Sequence, residues 1–305
     1  MNHRSETASG GQQPEDEALD ELVLGGLNDV LLLDRTNDWT EPDPLYPFAL
    51  DELLCRQTGR GGPPLCHLWR HPRAFILGQR DSRLPQAAEA LRWLESLGYA
   101  TAVRNTGGAA VPLDTGVVNL SLILPKQEGG DKHFHGDFER MYRLIRRALQ
   151  HTGCRVDKGE VEGAYCPGDF DLSIGGRKFC GIAQRRQANA FIVQAFVIAG
   201  GSGRDSAGLV REFYARATAG GTERDYPRVT EESTASLEEA AGLGRDADAA
   251  AAFTAAVKRV IRERQTEQGI AAAAVKLRLP EPDEVRAAAA ELRRRYGVQA
   301  FVVEG

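Results

Sequence analysis

Cys166 stands directly before Pro167 and Gly168, and Lys178 follows twelve positions on, inside Gly163 to Arg186, written GAYCPGDFDLSIGGRKFCGIAQRR. A Pro-Gly pair reverses the chain, so a side chain just ahead of it is presented rather than folded into a sheet. A thiol is a weak nucleophile near neutral pH, because an unperturbed cysteine titrates at about 8.5, and a neighbouring ammonium favours the thiolate. Lys178 can be that ammonium, which makes the pair a candidate for covalent, nucleophilic catalysis. The plain alternative is that a lone cysteine is a small buried hydrophobe. By that rule Cys55, Cys66 and Cys154 read as packing residues. Cys180 is ambiguous: regular strand alternation puts Lys178, Cys180 and Ile182 on one face and Phe179 and Gly181 on the other. Cys180 is weighed as packing.

A second segment, Arg104 to Pro125 (RNTGGAAVPLDTGVVNLSLILP), interrupts good strand sequence with a cation, two adjacent glycines, an aspartate and an asparagine. Gly107 and Gly108 let the backbone approach a ligand or take positive φ, and Arg104 can face a carboxylate or phosphate. Taken alone, the pair reads first as a hairpin turn with surface charges. The histidines read as exposed: His67 and His71 flank a strand and turn, and His133 and His135 lack the further ligands a metal needs. Arg185 and Arg186 read as a solvated strand edge.

These residues need elements to hold them. Phe48, Leu50, Leu53 and Leu54 recur at helical spacing over Leu45 to Cys55, as do Ala87, Ala90, Leu91, Leu94 and Leu97 over Pro85 to Leu97, with Gly98 as a stop. Strands are expected at Leu65 to Trp69, Ala74 to Leu77, Tyr99 to Arg104 and Val118 to Leu124, then a helix at His135 to Gln150. Asp171 to Ile174, the Gly175-Gly176 turn, Arg177 to Ala183 and Phe191 to Ile198 read as a sheet with hairpins. Helical periodicity resumes past Ser206 and runs through Leu237 to Ala241 and Ala249 to Arg264. A strand at Ala274 to Leu279, a helix at Asp283 to Tyr296 and a last run Ala300 to Val303 complete the α+β order.

The 305 residues are 42% hydrophobic and 27% charged, with a net charge of -5. That is enough for a sizeable core and gives no global basic field for nucleic acid. Five cysteines at uneven spacing suggest neither a disulfide frame nor a zinc ribbon. No apolar run reaches membrane length and no signal-like start is seen, so a soluble cytoplasmic protein is expected. Residues 1–24 read as a disordered acidic tail, 25–230 as the catalytic domain and 231–305 as a mainly helical extension.

PFALDELLC, Arg104-Asn105-Thr106-Gly107-Gly108, the stretch Asp114 to Ser121 and Lys178-Phe179-Cys180-Gly181 together resemble the lipoate/octanoate transferase and ligase superfamily over most of residues 45–225. Its catalytic domain shares the biotin-protein-ligase fold, a mixed sheet flanked by helices. YCPGDFDLSIGGRKFCGIAQRR is most similar to the octanoyl-[glycine-cleavage H protein]:protein N-octanoyltransferases. The resemblance implies that Cys166 carries an acyl thioester and Lys178 favours its thiolate, with Arg104, Gly107, Gly108, Asp114, Asn119 and Gly181 at the substrate. It implies an octanoyl-lysine donor on the glycine cleavage H protein and a lysine acceptor on lipoyl domains of 2-oxoacid dehydrogenases, lipoyl being a further possible group. Amide-to-amide exchange of this kind needs no cofactor and no metal. Leu113-Asp114 stands where many ligases of the superfamily carry His-Asp, and ligases need no cysteine at 166, which speaks against activation by ATP. The rival readings are transfer from acyl carrier protein, ATP-dependent lipoate ligation, and a non-catalytic binder of lipoyl domains or acyl groups.

Overall fold

The computed structural model describes residues 14–126, 134–219, 226–244 and 248–298. Its centre is a seven-stranded sheet in the order β1 (Leu31–Arg35), β2 (Leu65–Trp69), β6 (Val117–Pro125), β10 (Ala190–Ile198), β9 (Arg177–Arg186), β8 (Leu172–Ile174), β7 (Asp157–Lys158). All neighbours are antiparallel except β1 with β2. β6 and β10 are nearly continuous apolar runs because both sheet faces are covered, as buried strands require. Register aligns Trp69, Asn119, Phe196 and Gly181 across β2, β6, β10 and β9, and two residues further along aligns His67, Ser121, Gln194 and Ala183.

On the face carrying those side chains lies one core, shared by α2 (Tyr46–Thr58), α3 (Ala87–Ser96), α5 (Gly203–Ala217), α9 (Pro282–Tyr296) and a small sheet. That second sheet is β3 (Arg73–Leu77) between β4 (Ala100–Val103) and β5 (Val111–Asp114). The opposite face packs a second core with α4 (Phe134–Leu149) and α7 (Ala249–Arg262). α6 (Leu237–Ala241) starts on a capping box, Ser236 with Glu239. Among the described residues no helix is long and apolar enough to cross a membrane.

Several expectations are corrected. Residues 14–24 form a helix, α1, rather than a disordered tail: Leu24 is fully buried, and Asp20, 2% exposed, pairs with Arg143 and Arg146 of α4. Residues 1–13, the rest of that expected tail, lie outside the described residues, as does the run Ala300 to Val303. The strand expected at Ala274 to Leu279 is instead the end of α8 (Glu267–Lys276) and the coil after it. Thr266 caps that helix by accepting from Gly269 N, and the alanine tract holds it helical. His67 and His71 are buried rather than exposed. Past residue 230, Phe253 and Val257 of α7 sit in the second core, and Val285 and Ala289 of α9 sit in the first.

Candidate active site

Cys166 has a backbone φ of +49°, in the left-handed region that a non-glycine residue rarely adopts and that costs about 1–3 kcal/mol unless its surroundings enforce it. Proline at 167 adds to the restriction. The enforcing group is Lys178. Its ammonium, 0% exposed, donates to Tyr165 O at 2.8 Å and Cys166 O at 2.6 Å, and pairs with Asp171 Oδ2 at 2.8 Å. An ammonium has three N–H donors, so all are committed. Asp171 is equally buried, and burial pushes its carboxyl up to about 6, against the opposing pull of Lys178 and of the Gly168 N–H.

The sulfur itself is met from the other side. Cys166 Sγ accepts from Arg104 Nη2 at 3.3 Å and from Ala109 N at 3.2 Å, while Arg104 Nη2 also donates to Ala109 O at 2.7 Å. Donors directed at a sulfur, one of them cationic, stabilise negative charge on it. The 107–110 loop that carries Ala109 is anchored from behind: Ala110 N donates to Tyr214 Oη at 3.3 Å, and that hydroxyl donates to the buried Asp81 at 2.9 Å. Gly108, at φ +97°, leaves room for the pair, since a Cβ there would lie 2.5 Å from Arg104 Nη2 and 2.9 Å from the sulfur.

How Lys178 reaches the loop depends on an irregularity in β9. Leu172 pairs with Cys180 and Ser173 with Lys178, so Phe179 is an extra residue, a β-bulge. The bulge breaks alternation. Lys178 and Gly181 share the site face, where a Cβ at 181 would approach Phe196 at 2.5 Å and Lys178 Nζ at 3.4 Å. Phe179 and Cys180 turn together into the second core. Burial pushes the Cys180 thiol well up, and the thiols of Cys55 and Cys66 likewise, Cys55 to about 12.

Cys166 lines a cavity of about 360 Å³ whose wall also carries Gly108 and Pro167, Gly181 and Ala183 of β9, Asn119 and Ser121 of β6, Trp69 and Phe48, and Phe138 and Phe170. On the far side of the Gly107-Gly108 loop is an open, polar cleft of about 930 Å³ edged by Arg80, Arg83, Arg185 and Arg186. The two share Gly107, Gly108, Pro167 and Gln184. An apolar cavity of this size with a few polar groups at its mouth is a small-ligand site.

The sequence matches the family described as the lipoyl protein ligase A/B catalytic domain over residues 43–259. An octanoyl-[GcvH]:protein N-octanoyltransferase of Anoxybacillus flavithermus is 42% identical over 210 residues, 68% of this chain and 75% of the relative. The chain belongs to the lipoyl protein ligase A/B family, on its octanoyltransferase branch. A second relative of the same name, from Geobacillus kaustophilus, is 42% identical over 214 residues and covers the same shares of both chains. Among solved structures, a lipoate-protein ligase A bound with ATP superposes with a TM-score of 0.60 at 19% identity, covering 89% of this chain and 99% of the other. A putative lipoate protein ligase of T. acidophilum with bound lipoic acid gives 0.59 at 21%, covering 88% and 95%. At those identities the two structures speak to the fold alone.

Within this family fold, Arg104, Gly108 and Cys166 meet at one point, with Gly107, Asn119 and Gly181 on the same cavity wall. Three readings are corrected. Lys178 does not touch the sulfur: its three donors go to two backbone carbonyls and Asp171, so the cation at the thiol is Arg104. Asp114 is exposed and off the cavity wall, its carboxylate accepting from Gly116 N at 2.7 Å in the β5–β6 turn. Arg185 and Arg186 are half-buried, paired with Glu52 and Asp137, rather than a free edge. Glu52 ties that edge to the site loop by accepting from Asn105 Nδ2 at 2.8 Å. Asp171, Tyr214 and Asp81 were missed. A buried lysine needs a carboxylate, and GDFD, between Cys166 and Lys178, was the sequence signal for Asp171.

Proposed function

We propose that this chain moves an octanoyl group from an octanoyl-lysine of the glycine cleavage H protein to a lysine of a lipoyl domain, through a thioester on Cys166. The observation that carries the reading is the cysteine itself. A residue held at φ +49° presents its sulfur to two N–H donors at the mouth of an apolar cavity. Forcing a non-glycine residue into that conformation has a purpose if the sulfur must point at a carbonyl.

The Cys166 thiolate adds to the amide carbonyl carbon, the C–N bond breaks, and the departing lysine amine takes up a proton. The reverse sequence, with an incoming neutral lysine, releases the acyl group and returns the thiolate. Arg104 Nη2 and Ala109 N, already at the sulfur, are the donors beside the oxygen that becomes negative in each addition. Protons pass by way of the Asp171 carboxyl, which lies on the cavity wall and is held there by Lys178. The incoming and outgoing lysines use the polar cleft across Gly107-Gly108, while the octanoyl chain stays in the apolar cavity. Both bonds exchanged are acyl bonds to lysine amines, so the reaction draws on no ATP.

Intact mass measured after exposure to octanoylated H protein tests this, with and without ATP and with octanoyl acyl carrier protein as the rival donor. An octanoyl adduct on the wild type and none on Cys166→Ser, with turnover lost in the variant, is the expected result. Transfer at the wild-type rate by Cys166→Ser rules out the thioester. An absolute requirement for ATP moves the chain to the ligase reaction.

A further inference from the structure

The polar cleft beside the Gly107-Gly108 loop carries more positive charge than the carboxylates around it balance. Arg80, Arg83, Arg185 and Arg186 line it, against the single carboxylate of Asp81. Asp81 is buried and already accepts from Gly78 N at 2.8 Å and Tyr214 Oη at 2.9 Å. From outside the lining, Glu52 pairs with Arg185 and Asp137 with Arg186, so those two cations are balanced. Arg80 and Arg83, on the turn after β3, are exposed, and among the described residues their side chains meet no carboxylate. The whole chain has a net charge of -5, which makes the cleft a local reversal of sign. Tyr226, on the same cleft, stacks on Tyr214 with ring centroids 5.4 Å apart. Arginine and tyrosine around an open cleft are the residues enriched where one protein docks on another.

We propose that this cleft is the docking surface for an acidic patch of the carrier domain, carboxylates beside the target lysine seating on Arg80 and Arg83; the inference rests on the acyltransferase reading above. Cleft and cavity meet at Gly107, Gly108, Pro167 and Gln184, so a lysine whose acyl group lies in the cavity has its backbone on the cleft side. An extended lysine side chain spans only about 6 Å from Cα to Nζ, which holds the surface of the carrier against the rim. Residues next to that lysine then face the exposed guanidinium groups. Each exposed ion pair contributes little by itself, but charges on a rim steer the encounter and reject partners of the wrong sign. Donor and acceptor carriers enter by the same route, so one acidic pattern serves both.

Calorimetry with short peptides built on a central Nε-octanoyl-lysine, flanked by aspartates, alanines or lysines, reads the docking without requiring turnover. At about 20 mM salt the aspartate peptide should bind about tenfold more tightly than the lysine peptide, and about 0.5 M salt should remove most of that preference. Arg80→Gln with Arg83→Gln should cut the preference about fivefold, and Arg80→Glu with Arg83→Glu should invert it. N-octanoyl-lysine methylamide, which has no carboxylate, should bind the wild type and both double variants within about twofold. Equal affinity for the three peptides, or a preference that the substitutions leave unchanged, overturns the docking surface. Displacement of the aspartate peptide by phosphopantetheine, with inorganic phosphate acting equally, would assign the cleft to a phosphate and overturn it as well. An aspartate preference without an adduct on Cys166 from octanoylated H protein would count against the thioester and leave the docking surface standing; an adduct without the preference would do the reverse.

Discussion

At Cys166 a strained backbone and a buried ion pair are the same device. The left-handed φ persists because Lys178 grips the carbonyls of residues 165 and 166, and Lys178 can be buried because Asp171 balances it. Replacing Lys178 by Met leaves the Asp171 carboxylate without a cation and releases both carbonyls. The expected loss is about 3–5 kcal/mol of stability in a urea melt together with thioester formation; the double variant Lys178→Met, Asp171→Asn should recover much of the stability and none of the rate. Asp171 also sets a pH limb. Its carboxyl, pushed up to about 6 by burial, binds its proton more tightly in the folded chain than in the unfolded one. The resulting contribution to stability is therefore complete below the unfolded value of about 4 and is lost as pH rises through 6. Activity runs the other way, because only the carboxylate pairs with Lys178. kcat/KM should fall about tenfold per pH unit below 6, and a profile flat to pH 5 would remove Asp171 from the mechanism. Cys166 and Lys178 were legible in the sequence as a pair, through the Pro-Gly turn and the spacing. Which atom of Cys166 the lysine holds was not, since carbonyl and sulfur lie on one residue.

The elements read best where one pattern governs them. β2, α2, α3 and α9 follow from apolar periodicity, and Gly175-Gly176, both at positive φ, close the β8–β9 hairpin as such pairs do. β5 was missed because its four residues lie between a glycine pair and an Asp-Thr-Gly turn, too short for alternation to show. The bulge at Phe179 leaves no mark in the composition of RKFCGI, yet it alone decides that Gly181, not Cys180, joins Lys178 at the site. The 104–110 loop is likewise placed from a distance, by α5 and by the turn after β3. Tyr214→Phe removes the hydroxyl that both holds Ala110 N and donates to Asp81. With Asp81 left short of a donor, about 1–3 kcal/mol of stability is lost. Because Ala109 N is then free to drift from the sulfur, thioester formation should slow at least tenfold while octanoyl-ligand affinity, which depends on the cavity, changes by less than threefold. Equal losses in both would show that Tyr214 only supports the fold. Gly108→Ala acts on the same loop directly, and its methyl must displace the Arg104 guanidinium, so acylation should be lost with the cavity still able to bind.

On the scale of the whole molecule, one sheet separates two cores with different tasks. The core under α2, α5 and α9 borders the cavity through Phe48, Trp69, Cys166 and Phe196, while the one under α4 and α7 meets it through Leu120 and Ala195, with Phe138 of α4 also on the wall. The N-terminal segment looked too polar to order itself, and by composition alone it is. What orders residues 14–24 is partly apolar, through Leu24, and partly ionic, through Asp20 against Arg143 and Arg146. A partner so far away in sequence cannot be read from the segment itself. Since Asp20 Oδ1 lies 2.7 Å from both guanidinium groups in a buried setting, Asp20→Ala removes the carboxylate that the two cations share beneath α1. Glu139 still holds Arg143 at 2.9 Å, so the cost should sit at the low end for a broken buried pair, about 3 kcal/mol. Arg143 and Arg146 do not line the cavity, although Phe138 of the same helix does, so octanoyl-ligand affinity at room temperature should change by less than threefold while the urea midpoint drops. Amide exchange distinguishes the outcomes: protection lost across α1 and α4 but retained in β6 and β10 shows a clamp that folds independently of the site, whereas loss in β6 as well would mean that the two cores unfold as one.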